Sequence, residues 1–208
     1  KITREDVTYA EELGYRIKHL GLTRRTEQGV ELRVHPTLIP ERRLIANVDG
    51  VMNAVLVKGD AVGPTLYYGA GAGSEATASA VVADIVDVVR TLTSDPENRV
   101  PHLAFQPDAM SDIPVVSMME VETAYYLRLT AEDKPGVLAE IAQILGTAGI
   151  SIEAIIQKEP QHNETCVDVI MLTHRVQESL MCAAIEQIEA LPAITDKVMR
   201  MRVETLNN

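Results

Sequence analysis

Aromatic residues are scarce in this chain: no Trp, one Phe and six Tyr, 3% of 208 residues. That excludes the base-stacking platforms on which single-stranded nucleic acid is held. Positive charge is also in deficit, with 19 Lys and Arg against 30 Asp and Glu and a net charge of −11. Binding to a phosphate backbone needs clustered Lys and Arg, so nucleic-acid partners are excluded. There are only two cysteines, Cys166 and Cys182, with no C-x-x-C or His spacing. They read as reduced core residues, and no metal site is expected, since the five histidines are scattered without ligand spacing. No apolar run approaches the ~18 residues of a membrane span. The first residues are charged and amphipathic rather than a signal peptide. A cytoplasmic protein with no membrane partner is the expectation. What is plentiful is aliphatic side chain: 46% hydrophobic residues suffice for one large domain or two small ones.

The most informative motif is Tyr67-Tyr68-Gly69-Ala70-Gly71-Ala72-Gly73, running into Ser74-Glu75-Ala76-Thr77-Ala78. Three glycines at alternate positions end an apolar strand and open an Ala/Val-rich helix. Without Cβ atoms such a backbone can take positive φ and lie against a ligand. The helix start beyond it has free amides and a positive dipole end, which suits a phosphate or carboxylate. A structural turn explains the same residues, and the six-residue dinucleotide fingerprint is absent.

Around this motif the first section, residues 1–91, alternates helix and strand. Thr3 is placed to cap a first helix, with Glu5 and Asp6 in its first turn. Residues 15–23 suggest a strand. Val30, Leu32 and Val34 alternate with Glu31 and Arg33, the pattern of a half-buried strand, which Pro36 and Pro40 are expected to break. A short helix over 41–48 and a turn at Asp49-Gly50 follow. Residues 51–58 and 62–68 predict a hairpin around Gly59-Asp60. The helix over 74–92 has Val81, Val82, Ile85, Val88 and Val89 on one stripe, with Ser74 as the expected N-cap. A sheet with helices on one face suits dimerisation.

The blocks Ala10-Glu11-Glu12-Leu13-Gly14-Tyr15-Arg16-Ile17-Lys18, Val34-His35-Pro36-Thr37-Leu38-Ile39-Pro40 and Val51-Met52-Asn53-Ala54-Val55, followed by the glycine motif, occur here in that order. Together they resemble the substrate-binding and dimerising part of the homoserine dehydrogenase family, over roughly residues 3–91. The resemblance implies NAD- or NADP-linked interconversion of L-aspartate 4-semialdehyde and L-homoserine. It gives Gly69, Gly71 and Gly73 a place in closing over the nicotinamide cofactor. The family's catalytic Asp and Lys, and its nucleotide-binding domain, fall before Lys1. No catalytic residue is therefore assigned in this chain, a fragment of a longer enzyme is expected, and catalysis by the chain alone is not.

Residues 92–121, with Pro96, Pro101, Pro107 and Pro114, read as a semi-rigid linker with extended pieces at 103–106 and 115–119. The third section, 122–208, gives a strand over 124–130, with Tyr125, Leu127 and Leu129 alternating against Tyr126 and Arg128. The turn Asp133-Lys134-Pro135-Gly136 leads into a helix over 137–147, stopped by Gly149. Strands at 150–158 and 165–173 flank a polar loop at 159–164. A helix at 177–189 with Leu180, Ala184, Ile185 and Ile188 on its apolar face precedes a last strand at 197–203. The order βαββαβ is a ferredoxin-like sandwich. Overall the fold class is α+β: a mixed-sheet region followed by this smaller module.

Residues 133–141, Gly146, Gly149 and Ile152 carry a resemblance to the ACT domain, a regulatory module that senses amino acids. It implies an effector site at Asp133, Gly136, Val137 and Ile152, shared between partners that pair edge to edge. It also makes threonine the favoured effector and the intact protein a homo-oligomer. The plainer role for Asp133 is to cap the helix. His35 and Lys18 read as structural, and Glu186 and Glu189 as a solvated helix face. One alternative to the enzyme is a non-enzymatic amino-acid sensor; another is a regulatory subunit of a different biosynthetic enzyme, and only that second one would leave residues 34–77 unexplained.

Overall fold

In the computed structural model, residues 1–94, 105, 107–158 and 165–206 are described. They divide into two compact units, one formed by residues 1–46 with 114–208 and the other by residues 47–113. The packing units therefore do not follow chain order, because the first 46 residues fold with the last 95 or so.

The larger unit is built on one sheet. Helix α1 (Arg4–Glu12) starts with a capping box: the Asp6 amide donates to Thr3 Oγ1, and the Thr3 amide donates to Asp6 Oδ2 at 2.8 Å. It leads into β1 (Tyr15–Thr26), which pairs antiparallel with β2 (Gly29–Pro40) along their full length. The strand does not break at Pro36. The parallel neighbour β9 (Met199–Val203) joins β2 only at Thr37 and Leu38, so Pro36 lies just outside the doubly paired stretch. The expected helix over 41–48 is a single 3-10 turn, Leu44–Asn47.

The face that β2 buries is the charged one. Glu31 and Arg33 are buried, while Leu32 is 54% and Val34 72% exposed. The reason is a cluster closed behind the strand: Arg33 Nη2 donates to Glu204 Oε1 at 2.6 Å and to Glu31 Oε2 at 3.2 Å, and Arg24 pairs with Glu204 at 3.2 Å. Charges paired in this way can occupy an interior that unpaired ones cannot. It is Nη2 that carries the pairing, since Arg33 Nε and Nη1 are buried without a partner among the described residues.

The ferredoxin-like part follows in the expected order: β5 (Glu122–Glu132), α3 (Val137–Thr147), β6 (Ile152–Gln157), β7 (Cys166–Thr173), the two-residue β8 (Val176–Gln177) paired to the start of β5, α4 (Glu178–Glu189) and β9. The strand order across the sheet is β1-β2-β9-β5-β7-β6. Its four last strands make the antiparallel ferredoxin-like sheet, extended by the β1–β2 ribbon.

Helix α3 ends as its glycine requires. Gly149 has φ 73°, its amide donates to Gly146 O, and the Ile150 amide donates to Leu145 O, a Schellman closure. On α4 the inward residue is Met181, while Leu180 is exposed, one position off the expected stripe.

Both faces of this sheet are covered. Tyr125, Leu127, Leu129 and Ala131 pack with Ile141, Leu145, Met181 and Ile188 of α3 and α4. Tyr126, expected to alternate against them, is also fully buried, with Ile170, Leu172 and Met201, under Tyr9 and Ala10 of α1. A strand buried on both faces reads as a continuous apolar run rather than an alternation.

The smaller unit contains the hairpin β3 (Met52–Gly59) and β4 (Gly63–Ala70), in register from Met52–Ala70 to Gly59–Gly63, followed by α2 (Ser74–Thr93). Helix α2 has no buried residue, and Val81, Val82, Ile85, Val88, Val89 and Leu92 are all more than half exposed.

Of the pieces expected in the linker, 103, 104 and 106 lie outside the described residues, as do His102, His162 and the loop 159–164. Val115 makes a parallel bridge to Val30. Among the described residues no helix is long and apolar enough to cross a membrane.

Candidate functional site

The end of β5, the turn into α3 and the end of β6 enclose a pocket of about 320 Å³. Its rim is polar, with Glu132, Asp133, Lys134 and Gln157, and its floor is apolar, with Val137, Val167 and Val169. The turn is fixed from both sides. The Glu132 amide donates to Ala193 O at 2.8 Å, and the Asp133 amide donates to Thr165 O at 3.0 Å. Gly136, with φ 97°, is the N-cap of α3, and no side chain caps the helix. Asp133 is therefore not the cap. Its Oδ1 faces Gln157 Nε2 at 3.5 Å across the pocket mouth. Among the described residues the Leu138 and Ala139 amides at the helix start have no protein acceptor. Lys134 Nζ pairs with Glu132 Oε2 at 2.7 Å, and that hydrogen bond raises the lysine pKa.

Chemically, the pocket offers a carboxylate, an ammonium and a helix N-terminus around a small aliphatic floor. That set matches a small zwitterion with a short side chain. The residues Asp133, Gly136 and Val137 are brought together in it. Ile152 is not among its lining residues; at the other end of β6 it packs against the core beneath α3 and α4.

The glycine segment lies in the other unit. Gly69 is within β4, opposite Asn53, and Gly71 follows the strand. Gly73, with φ 121°, is the N-cap of α2, so Ser74 is the first helical residue and not the cap. All three glycines are exposed. At the helix start the Thr77 amide reaches Gly73 O, and the amides of residues 74–76 have no protein acceptor among the described residues.

Residues 1–86 match the family model for homoserine dehydrogenase, and residues 125–193 match that for the ACT domain. Along its full length the chain is 64% identical to homoserine dehydrogenase of Pseudomonas aeruginosa and 53% identical to that of Neisseria gonorrhoeae. This chain belongs to the homoserine dehydrogenase family. It spans about half the length of these curated relatives, 48% of each. A solved homoserine dehydrogenase from Thiobacillus denitrificans superposes on it with a TM-score of 0.90, at 67% identity over 99% of this chain and 46% of that one. The homoserine dehydrogenase of S. aureus is similar in fold at 26% identity and a TM-score of 0.57, over 96% of this chain and 44% of that one.

Two carboxylates, Asp6, read from the sequence only as a first-turn acid, and Glu178, not singled out there, are buried and paired. Glu178 of α4 accepts from Tyr125 Oη at 2.7 Å and from Arg202 Nη2 at 2.6 Å, with Arg200 at 3.1 Å. Asp6 of α1 accepts from Tyr126 Oη at 3.1 Å and from Arg128 Nε at 2.7 Å. Burial alone would raise both carboxyl pKa values. The facing arginines and tyrosines, with the Thr3 amide at Asp6, outweigh it and hold both below the ordinary range. Their signal was a first-turn acid on a helix, which reads equally well as a solvated dipole partner.

His35 sits in β2 with Nδ1 2.9 Å from Thr37 Oγ1, and burial followed by the Arg202 charge lowers its pKa. It stays neutral at physiological pH. Glu189, expected on a solvated face, accepts the Val198 amide at 2.9 Å. Among the described residues no group of three or more His, Cys, Asp or Glu could hold a metal ion.

Proposed function

We propose that this chain is the C-terminal part of a cytoplasmic homoserine dehydrogenase, an enzyme interconverting L-aspartate 4-semialdehyde and L-homoserine with NAD or NADP. The observation that carries this reading is end-to-end similarity, 64% identity over 207 residues to one such enzyme and a TM-score of 0.90 to another. In this reading the nucleotide-binding half and the catalytic Asp and Lys precede Lys1, so the chain alone does not turn over substrate.

The glycine segment fits contact with the cofactor through backbone only. A Cβ at Gly69 or Gly73 would meet no heavy atom within 4 Å, so the peptide edge is bare toward solvent. The cofactor, when bound, supplies the hydride. This chain's part is to present that bare edge and the free amides at the start of α2, and to exclude water when the segment closes. The exposed apolar stripe of α2 supports a homo-oligomer in which a second copy covers it.

The pocket at Asp133, Gly136 and Val137 is the effector site in this reading, and threonine is its favoured occupant. Its short polar side chain and zwitterionic head suit an apolar floor with a carboxylate, an ammonium and a helix N-terminus around it. Threonine would inhibit by binding better to a less active arrangement, which requires two states of unequal affinity.

The test uses the full-length protein. Homoserine-dependent reduction of NAD and of NADP is measured separately, each with a threonine titration. Turnover with one of the two coenzymes and inhibition that Asp133→Ala weakens are expected. No homoserine-dependent turnover would reject the enzyme, and inhibition unmoved by Asp133→Ala would reject the pocket.

A further inference from the structure

Within the glycine segment, Gly71 is the residue whose identity a neighbouring side chain dictates. A Cβ built at Gly71 overlaps Asn53 Nδ2 and stands 2.9 Å from Asn53 Cγ and 3.4 Å from its Cβ. Gly69 and Gly73 have open space at the same position, and Gly73 is set instead by its φ of 121°. The Asn53 carboxamide thus lies against the bare peptide at 71. It also shares an acceptor with the segment. The Val51 carbonyl receives the Gly71 amide at 3.2 Å, the Ala72 amide at 3.5 Å and Asn53 Nδ2 at 3.4 Å. Asn53 is in turn the register partner of Gly69 across the β3–β4 ladder. One β3 side chain therefore borders the segment where β4 ends and α2 has yet to begin.

We propose that Asn53 is a positioning residue for the glycine segment. Its carboxamide, wedged between the Val51 carbonyl and the peptide at Gly71, fixes the path from β4 into α2. That path sets where Gly73 and the first-turn amides of α2 point. An amide is the group required. Asp has the same shape but cannot donate to a carbonyl when ionised, and a branched apolar side chain donates nothing. Gly71 is then glycine to admit Asn53, whereas Gly69 is bare toward solvent. The proposal rests on the reading that this segment meets the nicotinamide cofactor.

The experiment measures cofactor dissociation constants in the full-length protein by NADPH and NADH fluorescence titration, with Tm and kcat determined in parallel. Asn53→Ala and Asn53→Asp should each raise the dissociation constant and KM for cofactor about 3- to 10-fold, the factor one neutral hydrogen bond carries. Both should leave kcat and Tm close to the parent values. Gly71→Ala should do more damage, to Tm as well as affinity. Adding Asn53→Gly should remove most of that extra loss, so that the double variant resembles Asn53→Gly alone. An equal Gly71→Ala penalty with and without Asn53 overturns the proposal, and so does Asn53→Ala with unchanged cofactor affinity when Gly69→Ala weakens it. Gly69→Ala tests the underlying reading separately, because its Cβ enters open space. If it and Gly71→Ala both leave affinity intact, the segment does not meet the cofactor. The Tm coupling between positions 53 and 71 then decides the proposal: its presence upholds Asn53 as the residue that sets the segment, and its absence overturns that role.

Discussion

Asp6 and Arg128 are 122 positions apart in the chain and 2.7 Å apart in the fold, with the Asp6 side chain wholly buried. Through this pair the first helix is fastened to the central strand of the ferredoxin-like sheet. Tyr126 Oη and the Thr3 amide complete the carboxylate's coordination, so the same group that caps α1 also docks it.

Asp6→Asn should therefore destabilise the chain by about 3 kcal/mol, and Arg128→Met, which strands the buried Asp6 charge, by about 3–5 kcal/mol. The double change Asp6→Asn/Arg128→Met should cost less than the sum of the two, because the second substitution removes a charge the first has already unpaired. Urea unfolding of the three variants checks this, and strict additivity would mean the pair is not a unit.

Stability should fall at both ends of the pH scale. Asp6 and Glu178 titrate lower in the folded chain than unfolded, so their contribution is present at neutral pH. It drains as pH falls below the ordinary carboxylate range of about 4 and is gone below the lowered folded values. Tyr125 and Tyr126, whose pKa values burial and the neighbouring carboxylates raise, contribute below their ordinary value of about 10 and lose that contribution as pH climbs above it. Thermal unfolding from pH 3 to 11 tests both arms; Glu178→Gln should flatten the acid arm and, by removing the charge that Tyr125 Oη faces, weaken the alkaline arm in part.

The inverted face of β2 makes a sharper contrast. Arg33→Leu should cost about 3 kcal/mol, because it leaves Glu31 and Glu204 facing each other in the interior. Leu32→Thr and Val34→Thr should each stay within about 0.5 kcal/mol in this chain, since both side chains point outward. Chemical denaturation gives all three, and the reverse ranking would place the apolar residues inside.

This strand shows where the sequence stopped being legible. Alternation told that β2 has two different faces but not which one faces in, because the shorter of the two contacts that neutralise Arg33 comes from Glu204, 171 positions away. Tyr126 is a similar case: local pattern placed it opposite Tyr125, and nothing nearby announced that α1 would cover that side. Features set by local chemistry were readable, among them the Thr3 cap, the hairpin at 52–70 and the α3 boundaries with Gly149 beyond them. In the candidate pocket, Asp133, Gly136 and Val137 came from one contiguous turn. Gln157 and Val167 did not, since only the sheet pairing brings them there.

Two glycines near the end of α3 should respond in opposite directions. Gly146→Ala, at a helical position with open space for a Cβ, should stabilise by about 0.5–1 kcal/mol. Gly149→Ala, forced into φ 73°, should destabilise by about 1–2 kcal/mol. Calorimetry on the pair separates backbone conformation from packing, since neither new methyl meets a neighbour.

The pairing of β2 with β9 at Thr37 and Leu38 limits how these molecules can polymerise. In an isolated βαββαβ sheet both outer strands would be open to a neighbour, a geometry that invites endless addition. Here one of those strands, β9, is already occupied, and the outermost strand on that side is β1. It carries Arg16, Lys18, Arg24 and Arg25, so two copies meeting there would set like charges side by side. Among the described residues of this sheet, that leaves β6 as the outer strand without such a row of like charge. A two-fold contact there would use the edge up and leave this sheet nothing to hand on to a third copy.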